Sequence, residues 1–144
     1  MPAQFAWFFL SFRGRISRQE FWLGYAFTIV VMLLMIPLLK DLALLRPAGR
    51  AVQREELMIA VLMGTAIATA ILLWPLLTLY VKRLHDLNVS GWWLVCFFVM
   101  MAAIDLTGIM RTDHASVALV GAIGFARGQR GDNRFGPDPI VTRT

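Results

Sequence analysis

Two adjacent residues, His85 and Asp86, carry the first suggestion of chemistry in this sequence. A carboxylate that orients an imidazole is a common arrangement for a general base or a metal ligand. Lys82 and Arg83 stand directly before them, and Ser90-Gly91-Trp92-Trp93 follows. The 144-residue chain has one other histidine, His114, and a single cysteine, Cys96. A metal centre needs several ligands gathered in one place. The sequence supplies no such set, so it implies no metal site, no cofactor and no catalytic residue. The preferred reading is structural: His85 and Asp86 bond to loop backbone and to neighbouring arginines.

Two further polar motifs flank this one at a distance. Phe12-Arg13-Gly14-Arg15-Ile16-Ser17-Arg18 precedes it, and Asn133-Arg134-Phe135-Gly136-Pro137-Asp138-Pro139 follows it. Ser17 and Glu20 have the spacing of a capping box, and Ile16 and Phe21 fall where a hydrophobic staple would put them. Together they predict a helix starting at Arg18. The two prolines near the C-terminus push Gly136 and Asp138 toward extended backbone. Residues 128–144 therefore read as a stiff, extended tail that folds back over a loop at 83–86. Asp86, Asp132, Asp138 and Glu20 are its available anions, and Arg13, Arg15, Arg18, Arg83 and Arg134 its available cations. Carboxylate–guanidinium pairs between them would lock the three segments into one cap.

The elements that position these motifs are apolar. The chain is 58% hydrophobic and only 16% charged, with a mean hydropathy of +0.66. Soluble domains carry about a quarter of their residues as charges. The excess of 14 Lys and Arg over 9 Asp and Glu therefore reads as the cationic bias of cytoplasmic loops in a membrane protein, and not as a nucleic-acid surface. Four spans are expected, at about 18–39, 57–81, 92–110 and 114–127. Phe5 to Leu10 is too short to cross, and it precedes Arg13, Arg15 and Arg18, the reverse of a cleavable signal. It is expected to lie as an interfacial helix on the bilayer, or to pack on the rest of the chain. Ala60, Gly64 and Ala68 form a small-residue stripe suited to close helix approach.

Charge decides the topology. With four crossings the N-terminus, residues 82–91 and the tail share one side, which holds nine of the basic residues against five on the other. That side should be cytoplasmic. Asp105 falls inside the third span, where an ionisable group by default suggests function. It stands roughly 20 Å along the helix from Trp92, so an interfacial Asp105–Arg111 pair is the expected account. Trp92 and Trp93 would anchor the third span at the near interface.

The three polar motifs, in this order around apolar helices, resemble a bacterial inner-membrane family known as domain of unknown function 805. The resemblance covers residues 12–139. The chain departs from the family pattern between Trp93 and Gly131, where Asp105, the Arg111-to-His114 turn and extra length replace a shorter stretch. The resemblance implies a small multi-pass inner-membrane protein and no particular activity.

The expectation is thus an all-α membrane protein forming one integral domain over residues 1–144, in the bacterial inner membrane with both termini cytoplasmic. Its leading role is non-enzymatic: a scaffold whose basic face meets anionic lipid headgroups or a partner protein, with a homo-oligomer as one form of partner. Its candidate site residues are Arg13, Arg15, Arg18, Arg83, His85, Asp86, Trp92, Asn133, Arg134 and Asp138, with Asp105 as the intramembrane polar residue. A small oligomeric transporter or channel subunit is the rival. An enzyme acting on a lipid headgroup comes third.

Overall fold

The computed structural model describes residues 2–44, 54–107 and 113–141. Five helices follow in order: α1 Pro2–Leu10, α2 Arg18–Leu44, α3 Arg54–Asp86, α4 Trp92–Thr107 and α5 Asp113–Phe125. Among the described residues α3, over Met58–Asp86, is long and apolar enough to cross a membrane, and α4 and α5 are shorter apolar helices. The outer surface is apolar: Leu33, Leu62, Ile71, Val99 and Val117 are each more than half exposed. Contiguous apolar surface on this scale marks an interaction surface such as a lipid-facing one.

α2 begins where the capping box puts it. Ser17 N–H donates to Glu20 Oε2 at 2.7 Å, and Glu20 N–H to Ser17 Oγ at 3.4 Å. Ile16 and Phe21 are both fully buried and share a cluster with Phe9 and Leu79. The start of α2 therefore lies beside the end of α3. Gly24 permits the approach, since a Cβ there would stand 2.9 Å from Leu79 and 2.8 Å from Phe8. A second cluster, Leu84, Leu94 and Ile123, ties the end of α3 to the start of α4 and the end of α5. Five element ends thus converge on one end of the bundle.

α1 takes the packed option over the purely interfacial one. Its last carbonyls lack intrahelical partners, and one stripe of α3 supplies them. Trp74 Nε1 donates to Leu10 O at 3.2 Å, Thr78 Oγ1 to Phe9 O at 2.9 Å, and Lys82 Nζ to Phe8 O at 3.0 Å and also to Trp7 O. These donors recur every four residues, so they share one face of α3. The Lys82 ammonium also sits 3.9 Å from the centroid of the Trp7 ring, a cation–π contact. Phe5 and Leu10 remain exposed, so the same short helix still presents apolar surface outward.

Several expectations need correction. The segment at 82–86 is not a loop: it forms the last turn of α3. The expected end at Val81 assumed that charges leave the helix at the membrane boundary, whereas Lys82, Arg83 and Asp86 turn inward to partners. α2 runs through Pro37 to Leu44, past the expected end at 39. The tail is folded and not extended: Asn133 and Gly136 exchange both backbone hydrogen bonds, at 3.1 and 3.0 Å. A Cβ at Gly64 would meet nothing within 4 Å, so the small-residue stripe is not packed there. The centre of the expected 40–56 connection, Arg111 and its pairing with Asp105 lie outside the described residues.

Lys82→Met preserves the side-chain stem and removes the ammonium from the α1 carbonyls. It should destabilise the fold by about 1–3 kcal/mol, read as a lower Tm in detergent and faster chymotryptic cleavage between Phe5 and Phe12. Unchanged stability and cleavage would show that Lys82 does not hold α1.

Candidate functional site

The convergent end is built around the Asp86 carboxylate. Its Oδ1 accepts two bonds from Arg15, Nε at 3.1 Å and Nη2 at 3.0 Å, in a side-on pair. Its Oδ2 accepts from Arg83 Nη1. The backbone carbonyl of Asp86 accepts from Gln129 N–H at 2.8 Å. All three side chains are nearly excluded from solvent. Gly128 runs so close to the carboxylate that a Cβ there would collide with its Oδ2.

Two guanidiniums face one carboxylate, and carbonyls take up the remaining donors. Arg15 Nη1 donates to Gly131 O at 2.7 Å and Gly136 O at 3.2 Å, and Nη2 to Gln129 O at 2.5 Å. Arg83 Nε donates to Ile123 O at 3.1 Å, Nη1 to Ile16 O at 3.4 Å, and Nη2 to Ala126 O. Ile123 O lies in the last turn of α5, where unpaired carbonyls make a helix end partly negative. Arg83 thus closes α5 much as Lys82 closes α1.

His85 faces the tail. Its Nδ1 donates to Gly14 O at 3.2 Å, which assigns the proton to Nδ1 because a carbonyl only accepts. Its ring stacks on Phe135 with centroids 3.9 Å apart and planes 5° from parallel. The Arg134 guanidinium lies 4.7 Å from the Phe135 centroid, and Arg134 Nη2 reaches Asn88 O at 3.2 Å. Asn133 Nδ2 donates to His85 O at 2.9 Å, and Asn133 Oδ1 accepts from Phe135 N–H at 2.9 Å. Asp138 accepts from Ile140 N–H at Oδ1 and from Gly131 N–H at Oδ2, at 2.9 and 2.8 Å. Those two N–H groups, with the Arg15 charge adding to them, hold the Asp138 carboxyl below its ordinary pKa against a smaller opposing effect of burial.

The candidate residues therefore divide. Arg15, Arg83, His85, Asp86, Asn133, Arg134 and Asp138 form one network. Arg13 and Arg18 border it with exposed side chains. Trp92 stands apart and is 75% exposed, its N–H 3.5 Å from Ser90 Oγ. Asp105 is exposed on α4, near its end at Thr107. The Trp74–Thr78–Lys82 stripe was not among the candidates. Its signal was the four-residue spacing of donor side chains near the end of a long apolar run. Among the described residues no group of three or more His, Cys, Asp and Glu is placed to hold a metal ion.

Fold and site define a small all-α protein with an apolar exterior and a cap built on one shared carboxylate. Residues 9–137 match the family model described as "Protein of unknown function (DUF805)", and the chain belongs to that family. It is 27% identical over 131 residues to "Inner membrane protein YhaH" of Escherichia coli (strain K12), covering 91% of this chain and 88% of that protein. It is 33% identical over 102 residues to "Uncharacterized protein YiiR" of the same strain, covering 71% of this chain and 57% of that protein. No solved structure matches it.

Asp86→Asn leaves two buried guanidiniums without their counter-charge, and should cost about 3–5 kcal/mol. Arg134→Gln, at an exposed position, should stay within about 0.5 kcal/mol of wild type. Thermal unfolding of the two variants in detergent checks the contrast. Asp138 predicts an acid-side effect. Its native pKa is lowered, so its contribution is complete above the unfolded value of about 3.9 and is lost as pH falls through the native value. Asp138→Asn should flatten the decline in Tm at low pH; an unaltered slope would assign that decline elsewhere.

Proposed function

We propose that this chain is a non-enzymatic integral protein of the bacterial inner membrane, with its capped end cytoplasmic and its exposed cations gathering anionic lipid headgroups. The observation that carries this reading is the division of the basic residues at one end. Arg15, Lys82 and Arg83 are buried and committed to internal partners, while Arg13, Arg18, Arg127, Arg130 and Arg134 are exposed around them. Each surface cation of this kind contributes about 1 kcal/mol toward an anionic bilayer. The exposed Trp92 and Trp93 suit the headgroup level at the start of α4.

Four crossings by α2 to α5 agree with this placement. α3 spans readily. α5, with 13 residues, covers about 20 Å at the helical rise, so it crosses where the flanking polar groups snorkel or the bilayer thins. The similarity to YhaH, an inner membrane protein, supports the location. His85 and Asp86 favour a structural role over a catalytic one, because backbone, Phe135 and two arginines already occupy them.

The test is reconstitution into nanodiscs of mixed phosphatidylglycerol and phosphatidylethanolamine, with mass-spectrometric measurement of lipids enriched around the protein. Phosphatidylglycerol should be enriched. The enrichment should weaken several-fold when Arg13 and Arg134 both become Gln, by about 1 kcal/mol per charge, and should collapse at about 1 M salt. Enrichment indifferent to both charge and salt would sink the reading. Cysteine-accessibility labelling in a Cys96→Ala background should place residue 130 in the cytoplasm.

A further inference from the structure

The capped end holds a feature that a merely basic surface does not need. A polar cavity of about 430 Å³ opens between the start of α2 and the 127–130 segment. Arg18, Arg127 and Arg130 line it with exposed side chains, and neither ion pair seen among the described residues uses them. Arg83 and Asp86 form part of its wall and are already satisfied by each other and by backbone. Counting Asp138, four guanidiniums face two carboxylates around the cavity. Its charge therefore suits an anion with several acceptor oxygens, which guanidinium groups bind well.

An apolar groove of about 440 Å³ lies between α2 and α5 with Tyr80 of α3 in its wall, bounded also by Trp22, Tyr25, Val117, Val120 and Phe125. Cavity and groove are bordered by the same two stretches of chain, the start of α2 and residues 116–130. On α2, Arg18, Trp22 and Tyr25 follow at helical spacing, so one face runs from cation to aromatic rings. On α5, Val117, Val120 and Phe125 lead to Arg127 just beyond the helix end. The Trp22 and Phe125 rings meet at 5.0 Å where the two stripes come closest to the arginines. Val117 and Phe125 are about 70% exposed, so the groove opens onto the surface that faces the bilayer. A free phosphate would use the cavity and leave the groove without a role. An amphiphile uses both.

We propose that one anionic phospholipid binds at this seam, its phosphate among Arg18, Arg127 and Arg130 and one acyl chain in the α2–α5 groove. This rests on the membrane placement proposed above and adds to it a single built site of defined stoichiometry.

The experiment is native mass spectrometry of the full chain after detergent delipidation and back-titration with phosphatidylglycerol. The wild type should retain one lipid. The Arg127→Gln/Arg130→Gln double variant should lower occupancy about tenfold or more. Gly121→Phe should do the same by filling the groove, since a Cβ there meets nothing within 4 Å and the fold has room for it. Val117→Trp is the second groove variant should Gly121→Phe fail to fold, with Tm as the check on both. Arg134→Gln, on the general basic face but outside the cavity, should weaken bulk enrichment in nanodiscs and still retain the one lipid after delipidation. Loss of the lipid in Arg134→Gln equal to that in the double variant would overturn the site and leave the general basic face standing. Full retention in folded groove-filled protein would overturn the groove as the acyl-chain site, and displacement of the lipid by millimolar inorganic phosphate alone would overturn the lipid in favour of a free phosphate. Absence of anionic enrichment in the nanodiscs would remove the basic-face reading itself.

Discussion

Everything at the polar end of this protein depends on one carboxylate shared by two arginines. Asp86 sits on the last turn of α3, Arg83 one turn before it, and Arg15 on the segment between α1 and α2. A buried carboxylate with one arginine would balance charge and leave most donors open. With two, the excess charge and remaining donors must go to carbonyls. The chain supplies these from the end of α5, from Ile16 and from the tail. The need to satisfy two guanidiniums is therefore what draws separate segments together. Burial of an ion pair gives little net stability by itself. Its effect here is to specify which segments meet.

The same solution recurs at α1. A helix of nine residues is too short to be stable alone, and its last carbonyls would otherwise be stranded against apolar neighbours. Trp74, Thr78 and Lys82 bind them from a single face of α3. Lys82 and Arg83 are consecutive and so point in different directions around the helix, one toward α1 and the other toward α5. The end of α3 acts as a two-sided cap for other helices, which explains why it stays helical to Asp86 despite its charges.

Much of this was legible in the residues. The capping box of Ser17 and Glu20 fixed the start of α2 because its signal is local and needs no partner elsewhere. The meeting of the Arg15, Asp86 and Asn133 segments followed from the complementarity of their charges. The path of the backbone did not follow. Residues 82–86 read as a loop because sequence reasoning treats a charge at the end of an apolar run as an exit to water. What kept the helix going were carbonyls contributed by residues far away in sequence, and no local pattern announces those. The tail read as extended because Gly136 and two prolines constrain single residues. Its turn is set instead by the Asn133–Gly136 backbone pair and by Phe135 lying on His85. Trp92 stood beside the polar motif in sequence and still lies apart from it in space. Its direction depends on where α4 leaves the cap.

The reach of Arg15 has a consequence for how the chain is made. Its carbonyl partners at Gln129 and Gly131 come 114 and 116 residues after it. During synthesis Arg15 therefore meets the Asp86 carboxylate, 71 residues on, well before the carbonyls that take up its remaining donors. Arg83 waits likewise for Ile123 and Ala126, 40 and 43 residues on. Both guanidiniums are fully withdrawn from water only when these later segments arrive. The shared ion pairs at the centre of the cap lie within residues 15–86 and precede the segments that cover them, so the tail closes over a charge arrangement already complete in sequence.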